Sequence, residues 1–515
     1  KKAYVNNASE NEVKYKEADK TYTVGDDAAL LVKKLNDNRG SNTAWFVNRA
    51  AGVYFPIHVL SWTGDKSEEF GGVTISITYD PNGGMTRNGS TLPVTESVTL
   101  EPDVNTGEWT AASHTVLAVN SEEIGFVNEN GEIKATPWNT AKDGTGTGYN
   151  AGDFIYVFGP ESEDITLYAQ WETIWDTDED GAYLIKNPTD LKSLQTQVND
   201  KGFDYTGKWF RLTENIALTD EWTPIGKFRA EFCGNLDGNH KSISGLNVNT
   251  STPYAGLFGT VGEITVQSLT LQDGSVICTG ATSWCGGLAG RSGSLLLNDV
   301  HIVNMAISGD GIGGTGGILG GGYASMTACS NTGGSVSGRY AGGLAGRGNT
   351  NGTDFIFTDC NNSAAVTGRN YAGGMAGSDR SESMKFTNCS KAGNIRSEGP
   401  ANGIAAAGTF VTCTNTGAIS SSQGGANGIA DYAKDITQCG NTGAINGSPA
   451  AGIARHAMRI EKCYNTGKIT ATAGNAAAYG IAQSVNGYIK NSFTYNVDTQ
   501  VPLVRNIKVG TYGDK

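Results

Sequence analysis

A phrase of the form apolar-Thr-x-Cys-x-Asn-Thr-Gly-x-Ile recurs between about Tyr254 and about Tyr495, and it narrows what this chain can fold into more than any other feature. Its versions carry Cys329, Cys360, Cys389, Cys413, Cys439 and Cys463, one cysteine per repeat. A Gly-Leu, Gly-Ile or Gly-Met step precedes each phrase, at Leu257, Leu288, Ile318, Leu344, Met375, Ile404, Ile429, Ile453 and Ile481. Successive steps lie 24 to 31 residues apart, the length of one solenoid coil and too short for a domain.

Alignment on the cysteines predicts which residues stack. Three positions before them stand Met326, Phe357, Phe386, Phe410, Ile436 and Ile460. Six positions after them stand Val366, Ile395, Ile419, Ile445 and Ile469, with Val336 one residue late. Like sits on like when each coil repeats the last about 4.8 Å above it. Two positions after the cysteines, Asn331, Asn362, Asn415, Asn441 and Asn465 predict an asparagine ladder in which each amide bonds the next. A helical repeat is excluded, since 72 glycines would cost about 1 kcal/mol at each helix-interior site. A leucine-rich repeat has a similar period, but its L-x-x-L-x-L pattern is absent. The predicted fold is mainly β: a right-handed parallel β-helix with an N-terminal helical cap, preceded by one or more small α+β or β-grasp-like domains. The glycines are expected to serve tight corners, either by adopting φ > 0 or by allowing close backbone approach.

Charge is unevenly placed. Residues 1–172 carry 25 Asp/Glu against 13 Lys/Arg, and residues 173–515 carry 26 against 25. An acidic front and a near-neutral repeat lack the basic face that nucleic acid requires. No run of about 18 apolar residues could span a membrane. The chain opens Lys-Lys-Ala-Tyr, so a secretory leader is expected to be absent or already removed. No Leu-Pro-x-Thr-Gly sorting signal occurs. The nine cysteines contain no C-x-x-C pair, and the six in the repeat are expected to be buried thiols.

Ahead of the repeat, Asp26–Asn36 predicts a short amphipathic helix, and Thr43–Val47 and Val53–Trp62 predict strands, which makes residues 1–72 a small α+β unit. Val73–Tyr79 alternates as a strand and ends in Asp80-Pro-Asn-Gly-Gly84. The stretch closes with WNTAKDGTGTGYNAGD (138–153) and ITLYAQW (165–171). These two signatures resemble the Listeria–Bacteroides repeat, which implies a β-grasp-like surface module over residues 73–172. The segment from Glu101 to Glu132 is longer than that family's connection and predicts an inserted hairpin or loop.

Residues 173–253 predict a cap and the first coils. Leu191, Leu194 and Val198 fall on one helical face, with Thr189 or Asp190 as the N-cap. Such a helix would cover the open end of a solenoid. From Tyr254 the lettering YAGLFG (254–259), CGGLAG (285–290), YAGGLAG (340–346) and YAGGMAG (371–377) resembles the GLUG motif, as do WTPIG and GNLDGNHKSISGL before it. The resemblance implies a secreted or surface bacterial protein of the kind found upstream of immunoglobulin-A-cleaving metallopeptidases. It places a GLUG-type β-helix over residues 254–500, with a tail at 501–515.

Candidate chemistry is sparse. His58, His114, His240, His301 and His456 form no H-E-x-x-H zinc motif, so no metal or catalytic residue is assigned. Asp354, Asp359, Asp379 and Glu382 fall in loops of neighbouring coils and could converge as a glycosidase-type cluster. The run Asp176-Thr-Asp-Glu-Asp-Gly181 is acidic enough to attract Ca²⁺, or is a charged linker; no other cofactor is implied. Tyr254, Trp284, Tyr340 and Tyr371 each precede an Ala-Gly or Cys-Gly step. Facing outward they would be a platform for sugar rings; facing inward or packed at a corner they would be structural stacking. The expected function is that of an extracellular, bacterial cell-surface adhesin-like protein. It would bind a host or environmental glycan, or an extracellular protein, through a rigid β-helix, with no nucleic acid and no membrane span. The alternatives are a polysaccharide lyase or glycosidase, and an architectural spacer or non-catalytic part of a larger surface protease.

Overall fold

Like does stack on like. One inward column runs Tyr183, Phe210, Leu236, Val266, Leu297, Met326, Phe357, Phe386, Phe410, Ile436, Ile460, Ile489, each residue the parallel register partner of the next. A second runs Val248, Val276, Ile307, Val336, Val366, Ile395, Ile419, Ile445, Ile469. A computed structural model describes residues 74–100, 111–157, 162–348, 355–377, 383–472 and 477–495. It gives the backbone alone of Val73 and of the strands Tyr4–Asn7, Glu12–Glu17, Lys20–Thr21, Thr43–Ala50, Val53–Leu60 and Val504–Ile507. The chain divides into two units, Lys1–Ile174 and Trp175–Lys515.

In the first unit, Thr43–Ala50 and Val53–Leu60 form an antiparallel hairpin. The helix expected at Asp26–Asn36 lies outside the described residues. A five-stranded sheet places Val73–Asp80 parallel to Ile165–Thr173 at its centre, with antiparallel partners on either side. The two sequence signatures are the hydrogen-bonding apparatus of this sheet. Asn82 Nδ2 donates to Ala169 O at 2.9 Å, and the Trp171 indole donates to Pro81 O at 2.9 Å. Asn139 holds the following turn by accepting from Ala141 N and Gly146 N, both at 2.9 Å. Among the described residues, the strands of the expected insertion pair with strands outside it. Ala112–Thr115 pairs with Phe154–Val157, and Phe126-Val127 pairs with Met85-Thr86. Between them, Val116, Val119 and Ile124 join Tyr79 and Trp138 in the core. The segment is long because it supplies one side of that core.

The second unit is a parallel β-helix of about ten turns. Its helix α1 (Pro188–Asn199) buries Leu191, Leu194 and Val198 as the spacing predicts. The N-cap, however, is Asn187, whose side chain accepts from Thr189 N and Asp190 N. Pro188 dictates this: its missing N–H and fixed φ suit the first helical position, which moves the cap two residues ahead of Thr189. Inside the first coils, Trp175, Tyr183, Tyr205 and Phe210 pack edge to face or tilted with centroids 5.1–6.2 Å apart. Phe232 lies 5.8 Å from Phe210 and stacks on Phe258 at 5.0 Å, outside that column. The terminal coil is thus filled by aromatic volume rather than left as exposed strand edge.

Glycine's role differs from the expectation at one corner. The residue before each repeat cysteine is left-handed in every described coil, yet none is glycine: Ala328, Asp359, Asn388, Thr412, Gln438 and Lys462 have φ of 53–55°. The repeat glycines instead allow close approach. A Cβ on Gly403 would lie 1.8 Å from Gly428 O, and one on Gly428 would lie 1.9 Å from Gly452 O.

The asparagine ladder holds only in part. Asn415 Nδ2 donates to Asn441 Oδ1, and Asn441 Nδ2 to Asn465 Oδ1, each at 2.7 Å. Asn331 and Asn362 donate instead to Gly343 O and Gly374 O. Between the two groups the slot belongs to Lys391, the register partner of both Asn362 and Asn415. Lys391 is 1% exposed, and its Nζ donates to Ala364 O at 3.0 Å. Burial pulls its pKa down to about 7. The six repeat cysteines are buried free thiols, and burial pushes the Cys439 thiol up. Cys278 and Cys285, outside that column, form a disulfide across one corner.

Candidate functional site: an aromatic and arginine face on the β-helix

Register fixes where the four aromatic candidates lie. Tyr254 pairs with Trp284, and Gly314 with Tyr340, which in turn pairs with Tyr371. Cys285 pairs with Thr315, so Trp284 and Gly314 are also neighbours. The four rings therefore share one column with a glycine at its third rung. The residues that follow them, Ala255, Cys285, Ala341 and Ala372, are buried in the core, and strand alternation turns their predecessors outward. Each ring is half-buried. They are thus on the outside of the coil, and each is partly covered along one flank.

The covering groups are named by the contacts. The Arg291 guanidinium lies 5.8 Å from the Tyr254 ring centre, and its Nη1 donates to the Tyr254 hydroxyl at 3.2 Å. The Arg347 guanidinium lies 4.7 Å from the Tyr340 ring. Tyr340 and Tyr371 stack with centroids 6.2 Å apart and planes 11° apart. Trp284 reaches across to the neighbouring column, where a Cβ on Gly321 would fall 2.1 Å from its indole. Arg291, Gly321 and Arg347 are register partners in their own column, so aromatic and cationic groups alternate across one edge of the rod. Cation–π contacts of this kind contribute about 0.5–1 kcal/mol at exposed sites.

Two features escaped the sequence reading. Further along, Tyr432 and His456 are register partners with rings 4.8 Å apart, and Arg455 lies 5.0 Å over Tyr432. They sit on two paired strands that lack the Tyr-Ala-Gly lettering, so only the register places them. At the other end, a cleft of about 570 Å³ beside Tyr254 is lined by Asp200, Glu221, Trp222, Phe228 and Thr252. Phe228 is 59% exposed there. The loop carrying it is non-repetitive, which is why alignment on the repeat could not find it.

Catalytic readings fare differently. Asp354, Asp379 and Glu382 lie outside the described residues, and the Asp359 carboxylate accepts from Asn388 Nδ2 at 2.6 Å. Other acids of the repeat meet bases: Asp431 meets Arg455, Asp435 meets Arg459 and Asp310 approaches Arg369. The acidic run at 176–181 is likewise answered by chain cations. Lys186 pairs with Asp176, and Arg211 bridges Asp178 at 2.5 Å and Asp237 at 3.2 Å. Asp178 Oδ1 also accepts from Asp180 N and Ala182 N, which makes this run a turn organiser. One constellation has the distances of an acyl-transfer triad: His301 Nδ1 lies 2.7 Å from Ser330 Oγ, and its Nε2 lies 2.9 Å from Asp299 Oδ1. Ser330 is 8% exposed in a flat parallel ladder, where stacked polar side chains bond as a matter of course.

Comparison with known proteins is sparse. No family model matches the chain. A Gly-rich membrane protein of Evansella cellulosilytica is 30% identical over 125 residues, covering 22% of this chain. The chain spans only 14% of that relative's length. Among solved structures, a protein of Bacteroides ovatus described as an immunoglobulin A1 protease superposes with a TM-score of 0.41 at 16% identity, over 49% of this chain and 81% of that one. Among the described residues no helix is long and apolar enough to cross a membrane.

Proposed function

We propose that this is a bacterial surface protein that binds an extracellular glycan along the aromatic face of its β-helix. The single observation that carries the reading is the register column of Tyr254, Trp284, Tyr340 and Tyr371, outward and half-exposed beside Arg291 and Arg347. The edges and uncovered parts of these rings offer apolar contact positions over about 19 Å, four coil steps of about 4.8 Å. A ladder in which every coil pairs with the next holds those rings in fixed positions, so little ordering is needed on binding.

Support for the extracellular setting is separate. Disulfides persist in oxidising compartments, and Cys278–Cys285 is such a bond. The YAGGLAG lettering that resembles GLUG motifs, and the ITYDPNGG and ITLYAQW signatures of the front module, point to the same setting. The half-burial of the rings favours a second reading, an architectural spacer whose outer aromatics only stiffen the corner.

A glycan microarray probed with the full chain separates them. Binding is expected, and the double variant Tyr340→Ala/Tyr371→Ala is expected to lose at least tenfold in affinity while the chain stays folded at the assay temperature, as its melting curve checks. A blank array, with a blank pull-down from host and environmental surface extracts, would favour the spacer.

A further inference from the structure

Resting on the reading of the aromatic column as a binding face, we infer that its ligand is an acidic saccharide, one carrying carboxylate or sulfate groups. The argument comes from where the arginines fall. Residues 173–515 are nearly neutral, with 25 basic and 26 acidic residues. Yet four arginines surround one aromatic column. Arg291 and Arg347 flank it on one side, over Tyr254 and Tyr340. On the other side, Arg339 and Arg369 follow Gly338 and Gly368, which are register partners just before Tyr340 and Tyr371.

The acids that border the patch do not cancel it. Asp310, one coil before Arg339, is 73% exposed and approaches Arg369 only to 3.9 Å. Glu398 follows Ser397, the register partner of Gly368, one coil beyond Arg369. These two acids balance Arg339 and Arg369 in number, and the excess of positive charge over the patch comes from Arg291 and Arg347 on the other flank. Arg339 is half-buried and Arg369 exposed, so the two differ in how far their guanidinium groups reach a ligand. Exposed Asn370 donates to the Tyr340 hydroxyl at 3.4 Å, which adds a polar group at the ring edge.

Guanidinium groups present donors in a planar fork that matches carboxylate and sulfate oxygens two at a time. Lysine would serve equally for diffuse charge, but every cation of this patch is arginine. A neutral sugar would use the rings and gain nothing from the charge of the arginines. A polyanion without flat rings would use the forks and leave the aromatic faces bare. An acidic saccharide engages both.

The test uses matched pairs on the full chain: oligogalacturonate against its methyl ester, and dextran sulfate against dextran. At least one charged member is expected to bind ten times or more tighter than its neutral twin, and the pair that discriminates identifies carboxylate or sulfate. Arg339→Gln/Arg369→Gln is expected to remove that preference, and Arg339→Lys/Arg369→Lys to restore only part of it, with melting temperatures matched to the parent. Tyr340→Ala/Tyr371→Ala is expected to weaken binding of the charged member at least tenfold. If neutral twins bind as tightly and only the tyrosine variant weakens them, the acidic ligand is overturned while the binding face stands. If charged members bind but the tyrosine variant has no effect, or if nothing binds, the binding face falls and the acidic ligand with it.

Discussion

Lys391 concentrates the physics of this core at one residue. It occupies an asparagine slot, and its neighbour Asn415 is left with a buried Oδ1 that no donor reaches. In the coils beyond, the equivalent oxygen accepts from the asparagine below. Lys391→Asn places an amide where Asn415 Oδ1 needs one and removes a cation from the core. The variant is expected to be more stable by about 2 kcal/mol at pH 7, since it ends one orphaned acceptor and one desolvated ammonium, less the packing lost with the lysine stem. The pH dependence is specific. Above about 7 the folded lysine is neutral, while the unfolded chain still holds its proton up to the usual lysine range. Folding therefore releases a proton between pH 7 and about 10.5, and the wild type gains up to about 1.4 kcal/mol per pH unit from this site as pH rises. The variant's advantage should shrink over that window. Urea melts of both proteins at pH 7, 8 and 9 measure the difference; a constant gap would mean that Lys391 stays charged in the fold.

At the scale of elements, the coil corner before each cysteine is the least expected feature. A left-handed backbone normally calls for glycine or asparagine, and here Thr412 adopts it with φ 55°. The ladder compels it: Thr412 N donates to Thr437 O at 2.9 Å, and Asn388 N below donates to Val411 O, so one coil's conformation is imposed on the next. A β-branched residue in that region is strained. Thr412 is exposed, so its side chain can be exchanged without loss of packing. Thr412→Asn is expected to raise stability by about 0.5–1 kcal/mol, as a shift in urea midpoint; a decrease would show that the corner carries no strain. This corner also marks where the sequence stops being legible. The cysteine columns predicted register correctly from Met326 to Ile460, because spacing alone decides which residues meet. The N-cap was misplaced by the helical pattern, which does not report that Pro188 suits the first turn. Lys391 was passed over because a ladder of asparagines hides a single exception, and Tyr432 with His456 was missed because their strand lacks the corner lettering. What repetition encodes could be read; what depends on one local hydrogen bond could not.

The β-helix as a whole is a chain of nearest-neighbour contacts, and this sets how damage should spread. Each described coil pairs with the coil before it and the coil after it, so stability is close to a sum of local terms. Gly428 tests this. A Cβ there would fall 1.9 Å from Gly452 O, a clash with backbone that no rotamer relieves, and Gly428→Ala is expected to cost about 3 kcal/mol. In a rod with local cooperativity the cost falls on the coils at the site. Amide exchange in Ala405–Val411, Ala430–Thr437 and Ala454–Glu461 should then accelerate roughly a hundredfold, since about 1.4 kcal/mol is a factor of ten. Exchange in Phe258–Gln272, six coils toward the cap and beside the aromatic plug of Trp175 and Phe210, should be unchanged. The aromatic face at Tyr340 and Tyr371 lies between, three and two coils from the substitution. If exchange there is also unchanged, the site rests on its own coils and the C-terminal turns can vary without disturbing it. Uniform acceleration through Phe258–Gln272 would instead mean that the rod opens as one unit, and that every coil contributes to holding the binding face in place.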